Sequence, residues 1–358
     1  LFAAFNQKAR NKIDRARACH TMIVLYTTIG KIHEAIDLGV ESVKMFGIRL
    51  PKNCGKGPVI LEILRFKRKL AKIRIEDILD LPVCTDQEII AKCELYGRIG
   101  LPAYYANPNL FALTIFKGIN GDLEHGLVYT SAFGFVAIAT VIGGELGDFR
   151  TAYRLGEMAL KLNEKMDDKR HAAKVNFVFG FMVMHWIRPL RECFDYFTKA
   201  YKIGLETGDF LYCGHSLNTL FGQRLMAGDN IDDILEKHSR FQDFQESVKD
   251  PFVANQYFQM RQFCLNLKGL TESPLSMNTP DYDYDRNVVS MRAQGNMLGV
   301  FILLMMREKI HYLNRNYEEA YRIGFEIDPL LEFPKGCYYL VEHIFYRCLS
   351  LLAVYPGK

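Results

Sequence analysis

Apolar residues recur at steps of three and four along most of this chain, and alternating runs are scarce. That spacing predicts helices over Ala16 to Ile29, Lys31 to Phe46, Phe149 to Leu162 and Tyr317 to Ile327. The one Asn-Gly pair, Asn120-Gly121, is placed between helical segments rather than in a hairpin of strands. Two stretches, Tyr129 to Gly144 and Leu298 to Met306, are apolar nearly throughout. Both fall short of the roughly 20 residues that span a bilayer, so they are expected to be buried helices in the middle of a stack.

The helical pattern repeats. Gly30 is followed by Ala35, Gly39 and Ser42 at offsets of 5, 9 and 12. Gly147 is followed by Ala152, Gly156 and Ala159 at the same offsets, and Arg315 by Ala320, Gly324 and Ile327. A weaker copy runs Arg188, Cys193, Phe197, Ala200, and a fifth keeps only Gly228 in its turn. A small residue at offset 5 lets the second helix of a hairpin approach the first closely, and the later small residues continue that stripe. The leading glycine sits in the interhelical turn, where positive φ is needed. Cys193 lies 41 residues after Ala152 and 40 before Asp233, a period longer than the roughly 34 of a tetratricopeptide repeat. The expected fold is therefore all-α: about eight tetratricopeptide-like hairpins stacked into a right-handed superhelix, one array over residues 1–358. Sub-boundaries are expected near 51–58, 102–108 and 272–285, where prolines or a Pro/Ser/Asp-rich run interrupt the pattern.

Composition narrows the function classes. Hydrophobic residues make up 49% of 358 residues, enough for a continuous core. A net charge of +4 is too small for a dedicated nucleic-acid binder. Nine scattered cysteines, odd in number and without a C-x-x-C pair, point to a reducing, cytoplasmic setting. No membrane insertion is expected. The chain opens on Leu1 rather than Met, and the natural polypeptide is expected to extend beyond both ends.

Chemical motifs are incomplete. Residues 53–58, NCGKGP, have Leu50 where a phosphate loop needs its first glycine and Gly57 where it needs Ser or Thr. Residues 281–286, DYDYDR, place Arg286 and Arg292 where a calcium loop needs Gly and Glu. The histidines lack metal-ligand spacing, and no hydrolase or kinase signature is present. No catalytic, metal or cofactor residue is assigned. The basic run 65–74, RFKRKLAKIR, reads as a solvated helix face, or else a surface for an acidic partner or nucleic acid. The aromatic run Phe177 to Ile187 reads as a core stripe. Tyr104, Tyr105 and Asn107 lie in a segment flanked by Pro102 and Pro108 that is not expected to be wholly helical, and they are the candidate contacts for a partner or ligand.

Several stretches in order carry a resemblance: CHTMIVLYTTIGKIHEAIDLG from Cys19, FGIRLP at 46–51, IEDILDLP at 75–82, GLPAYYANPNLF at 100–111, LGDFRTAYRLGEMALKL at 146–162, GLETGDFLYCGHSL at 204–217, YLNRNYEEAYRIG at 312–324 and FYRCLSLLA at 345–353. Together they resemble the helical-repeat region of large hybrid signalling proteins. In that family a Ser/Thr kinase-like domain and an AAA-related signal-transduction ATPase precede the repeats, and a sensor with a histidine-kinase or cyclase output follows. The chain departs from the family at GINGDLEHGL, 118–127, where a hydroxyl-rich stretch is expected. The resemblance implies a non-catalytic regulatory scaffold. Its partners would be other domains of the same polypeptide and a protein or peptide. The alternatives are a small-molecule sensor, as related repeat domains of ATPase-type activators imply, and an enzyme with an unrecognised site.

Overall fold

The structure is a computed structural model, and it describes residues 11–248 and 251–355. Those residues form seventeen α-helices joined by short 3-10 and π turns, with no β-strand among them. The chain divides into two compact units, residues 1–179 and 180–358.

The first unit holds α1 (Lys12–Thr28), α2 (Ile32–Ser42), α3 (Lys56–Leu70), α4 (Gln87–Ala106), α5 (Pro108–His125), α6 (Ser131–Gly144), α7 (Phe149–Lys165) and α8 (Lys169–Val178). Chain neighbours pack as spatial neighbours. The pairs α1–α2, α4–α5 and α6–α7 form hairpins; α4 packs on both α1 and α2, α5 on α6, and α8 on both α6 and α7. Helix α3 is the exception, because it leaves the sequence of hairpins and lies against α5. Eleven of the fourteen residues of α6 are buried, so this apolar run is an interior helix, as its composition requires.

The second unit holds α9 (Phe194–Thr207), α10 (Phe210–Met226), α11 (Ile231–Ser239), α12 (Gln242–Val248), α13 (Pro251–Leu267), α14 (Tyr284–Ala293), α15 (Met297–Leu313), α16 (Tyr317–Ile327) and α17 (Tyr338–Val354). The hairpins α9–α10 and α15–α16 are linked through α13, which packs on both α10 and α15, and α17 packs on α15 and α16. The two ends of this unit also meet. Phe181 lies edge-on to Tyr338 and Tyr339, and the Trp186 indole N–H donates to the Gly336 carbonyl at 3.1 Å.

The turns have a common construction. Gly147 takes φ +68°, and the next residue, Asp148, caps α7 by accepting a hydrogen bond from the Thr151 amide. Gly295 and Asn296 repeat this at the start of α15, where Asn296 accepts from the Gly299 amide. At Arg315 the same left-handed place, φ +62°, is filled by a residue with a Cβ. The small-residue stripe is in place as well. Ala35, Ala152, Ala159 and Ala320 are buried. A Cβ added to Gly143 of α6 would sit 3.3 Å from that of Ala152 in α7, so the two helices meet at these two residues.

Three expectations need correction. Pro102 does not end a helix: it is buried inside α4, which runs on to Ala106, and the break comes only at Asn107. Asn120-Gly121 lies inside α5, where the Asn120 amide is held by Glu62. The weak copy keeps Cys193, Phe197 and Ala200 buried, and Arg188 lies in the bend between the 3-10 turns at 184–186 and 190–193. The aromatic run after Phe177 is core, yet residues 179–183 are wound as a π-helix, so the side chains do not follow α-helical spacing.

Candidate functional site

Tyr105 is buried. Tyr104 is half-buried, edge-on to Phe111 at 5.4 Å. Asn107 caps α5 by accepting from the Leu110 amide at 3.1 Å, while its own amide donates to the Lys52 carbonyl at 3.1 Å. These three residues join α4, α5 and the 51–53 loop, and the segment is not wholly helical, although the break is confined to Asn107 with helix on both sides. The repeat residues are packing positions. Gly30 and Gly147 take positive φ in their turns. Gly39 and Gly156 are buried, and a Cβ at Gly39 would collide with Ile99 of α4. Gly324 gives room for a carboxylate: an added Cβ would lie 3.1 Å from Glu308 Oε1 and 3.4 Å from Arg347 Cγ.

That carboxylate leads to α17, whose polarity is inverted. Its inward face carries Glu342, His343, Arg347 and Ser350, after the buried Tyr338 and Tyr339 of its first turn. Glu342 pairs with Lys309. His343 Nδ1 lies 2.6 Å from Glu308 Oε2, with both side chains enclosed. Burial pushes the Glu308 carboxyl above its usual range, against the pull of the His343 hydrogen bond. Arg347 forks onto Asp328, with one arm at 3.0 Å, and its hydrogen bonds hold Asp328 below the usual carboxylate range.

The outward face carries Val341, Ile344, Phe345, Cys348, Leu351, Leu352 and Tyr355. At 100° per residue they form one stripe about 120° wide, the width of a core-facing seam. The six hydrophobic side chains are 41–67% exposed, and no charged residue of α17 is exposed. The patch continues onto Phe325 of α16, half exposed, over whose ring the Arg347 guanidinium lies at 5.1 Å. Cys348 is the only exposed thiol among the nine cysteines. This face can bury apolar area against another surface.

A second feature escaped the sequence reading. Ser216, Thr219 and Gln223 share one face of α10 at helical spacing, are fully buried, and among the described residues find no hydrogen-bond partner for the hydroxyls or for the Gln223 amide. Three polar residues at steps of three and four on one face of the helix were the available signal. No group of three or more His, Cys, Asp or Glu able to hold a metal occurs among the described residues, and none of their helices is long and apolar enough to cross a membrane. Compared with protein-family models and with curated proteins, the chain finds no match.

Proposed function

We propose that this chain is a non-catalytic interaction scaffold of tetratricopeptide-like hairpins, and that the outward face of α17 docks a further amphipathic helix. The inverted polarity of α17 carries the reading. A helix apolar on the side away from its own core carries a free-energy cost in water until that side is covered. The register argues for what covers it. Cys337 and Asn296, the N-caps of α17 and α15, lie 41 residues apart. The same shift sets Cys348 on Arg307 and Leu352 on His311. Arg307 reaches Glu319 of α16 at 3.8 Å, and His311 Nδ1 lies 3.2 Å from the Asn316 amide that precedes α16. The stripe thus occupies the side on which α16 covers α15. The occupant is a helix of that kind, the second member of a hairpin, with an uncharged apolar face.

Within a hybrid signalling polypeptide, such a scaffold would pass the state of an upstream ATPase to an output domain. The order of the resembling stretches supports that setting. A small-ligand sensor is the second reading, and the unpartnered stripe Ser216, Thr219 and Gln223 favours it.

The docking reading is tested with Phe345→Glu combined with Leu352→Glu. The expected outcome is a several-fold loss of anilinonaphthalene-sulfonate fluorescence with stability changed by no more than about 0.5 kcal/mol, as for surface positions. Unchanged fluorescence with a fall of several kcal/mol would mean that the face is packed within the free chain, and would overturn the reading.

A further inference from the structure

Helix α3 packs through a narrow seam. Val59, Glu62 and Phe66 are its buried residues, with Phe66 edge-on to Phe116 at 5.5 Å. Glu62 receives Lys117 at 2.9 Å and Arg65 at 2.7 Å, and Lys69 turns inward to Glu124 and the Asn120 carbonyl. The rest of the helix faces out. After the exposed Lys56 it presents Ile60, Leu61 and Leu64, each more than half exposed. Its end presents Lys67 and Arg68, followed by Lys72, all exposed and without an ion pair among the described residues.

These cations are a concentration, not a sample of the surface. Residues 56–74 hold seven of the 45 Lys and Arg and one of the 41 Asp and Glu, so this stretch is +6 and the remainder of the chain is −2. Part of that charge serves the helix itself, since Lys67 and Arg68 complement the negative end of the dipole. The dipole has no use for three leucine and isoleucine side chains standing in water on the same face one or two turns earlier.

We infer that the outward face of α3 is a docking surface for an acidic amphipathic peptide, one with apolar anchors at one end and a cluster of carboxylates at the other. The apolar and cationic parts follow one another along the axis, about 12 Å from Ile60 to Arg68 at 1.5 Å per residue. An elongated partner divided in the same way matches both halves at once. A helix lying in a bilayer interface instead carries its cations on the side opposite its apolar stripe. Nucleic acid would leave the apolar half unused, and the one aromatic ring of α3, Phe66, is committed to Phe116 and offers no stacking face.

The test uses the whole chain and a synthetic helical peptide with three leucines at one end and four glutamates at the other, set against a counterpart with lysines for the glutamates. Fluorescence anisotropy should show saturable binding of the acidic peptide that weakens as salt rises from 50 to 300 mM, and binding of the lysine counterpart at least tenfold weaker. Lys67→Glu with Arg68→Glu should weaken the acidic peptide tenfold or more, Leu61→Ser with Leu64→Ser should do so at every salt concentration, and Lys67→Arg should retain binding. Melting temperatures of these exposed variants should match the parent. Equal binding of the two peptides, or indifference to both double variants, would overturn the proposal. So would binding to vesicles containing phosphatidylserine without binding to the acidic peptide.

Discussion

Arg315 holds a backbone conformation that Gly147 holds with no steric cost, and the difference can be measured. A side chain in the left-handed region costs about 1 kcal/mol, so Arg315→Gly should raise the unfolding free energy by about 0.5–1 kcal/mol in urea titrations, while Gly147→Arg should lower it by a similar amount. Asp122 offers a second test at this scale. It is enclosed in α5, with its carboxylate 2.8 Å from Ser131 Oγ and 3.5 Å from Cys93 Sγ. Burial lifts it to about 7, and the Ser131 and Cys93 hydrogen bonds only partly oppose this. Its pKa is therefore higher folded than unfolded, and the folded state holds the proton longer. Between pH 4 and 7 the unfolded chain ionises first, so stability falls as pH rises through that window and then levels off. Asp122→Asn should flatten this slope and relieve on the order of 2–4 kcal/mol of penalty at pH 8, read by denaturant unfolding at pH 5 and pH 8.

At the scale of an element, close approach of paired helices is set by facing small residues. Gly204 of α9 and Cys213 of α10 reproduce the Gly143–Ala152 contact, since a Cβ at Gly204 would lie 2.5 Å from the Cys213 sulfur. Ala152→Leu and Gly204→Ala should each cost about 1–3 kcal/mol by overpacking, and Cys213→Ala should recover part of the second loss in a double-mutant cycle. The helices and the offset of five were legible because buried small residues at that spacing have no other use. The glycine four places before the turn, Gly143 or Gly204, went unread: it lies on the preceding helix, where glycine reads only as a weak helix former. The path through Pro102 also went unread. A proline argues against helix from local sterics, and the burial of Pro102 within α4 is a tertiary fact that no local rule contains. The docking faces were hidden for a related reason. Val341, Ile344 and Leu352 have the periodicity of a core face, and only the packed neighbours reveal that the core lies on the opposite, polar side.

At the scale of the molecule, the all-helical character was plain from periodicity, and the division at residue 179 was not. No proline, glycine cluster or charge run marks it; the chain passes from α8 into a π-helical turn with its apolar content unbroken. The two units differ in the reach of their contacts. In the first, hydrogen bonds reach from Glu76 to Arg154 and from Leu79 to Lys165, 78 and 86 residues apart. In the second, Met182 and Trp186 find partners in Cys337 and Gly336, about 150 residues further on. Protein synthesis runs in one direction, so this has a consequence in time. The first unit can complete its core while the second is still being made. The residues from Phe181 to Trp186 emerge early and meet Gly336, Tyr338 and Tyr339 only when almost the whole of the second unit has been made. Until residue 339 is made the two ends of the second unit stay unjoined, so a ribosome stalled before residue 336 would hold a finished first unit followed by a second that still lacks this closure.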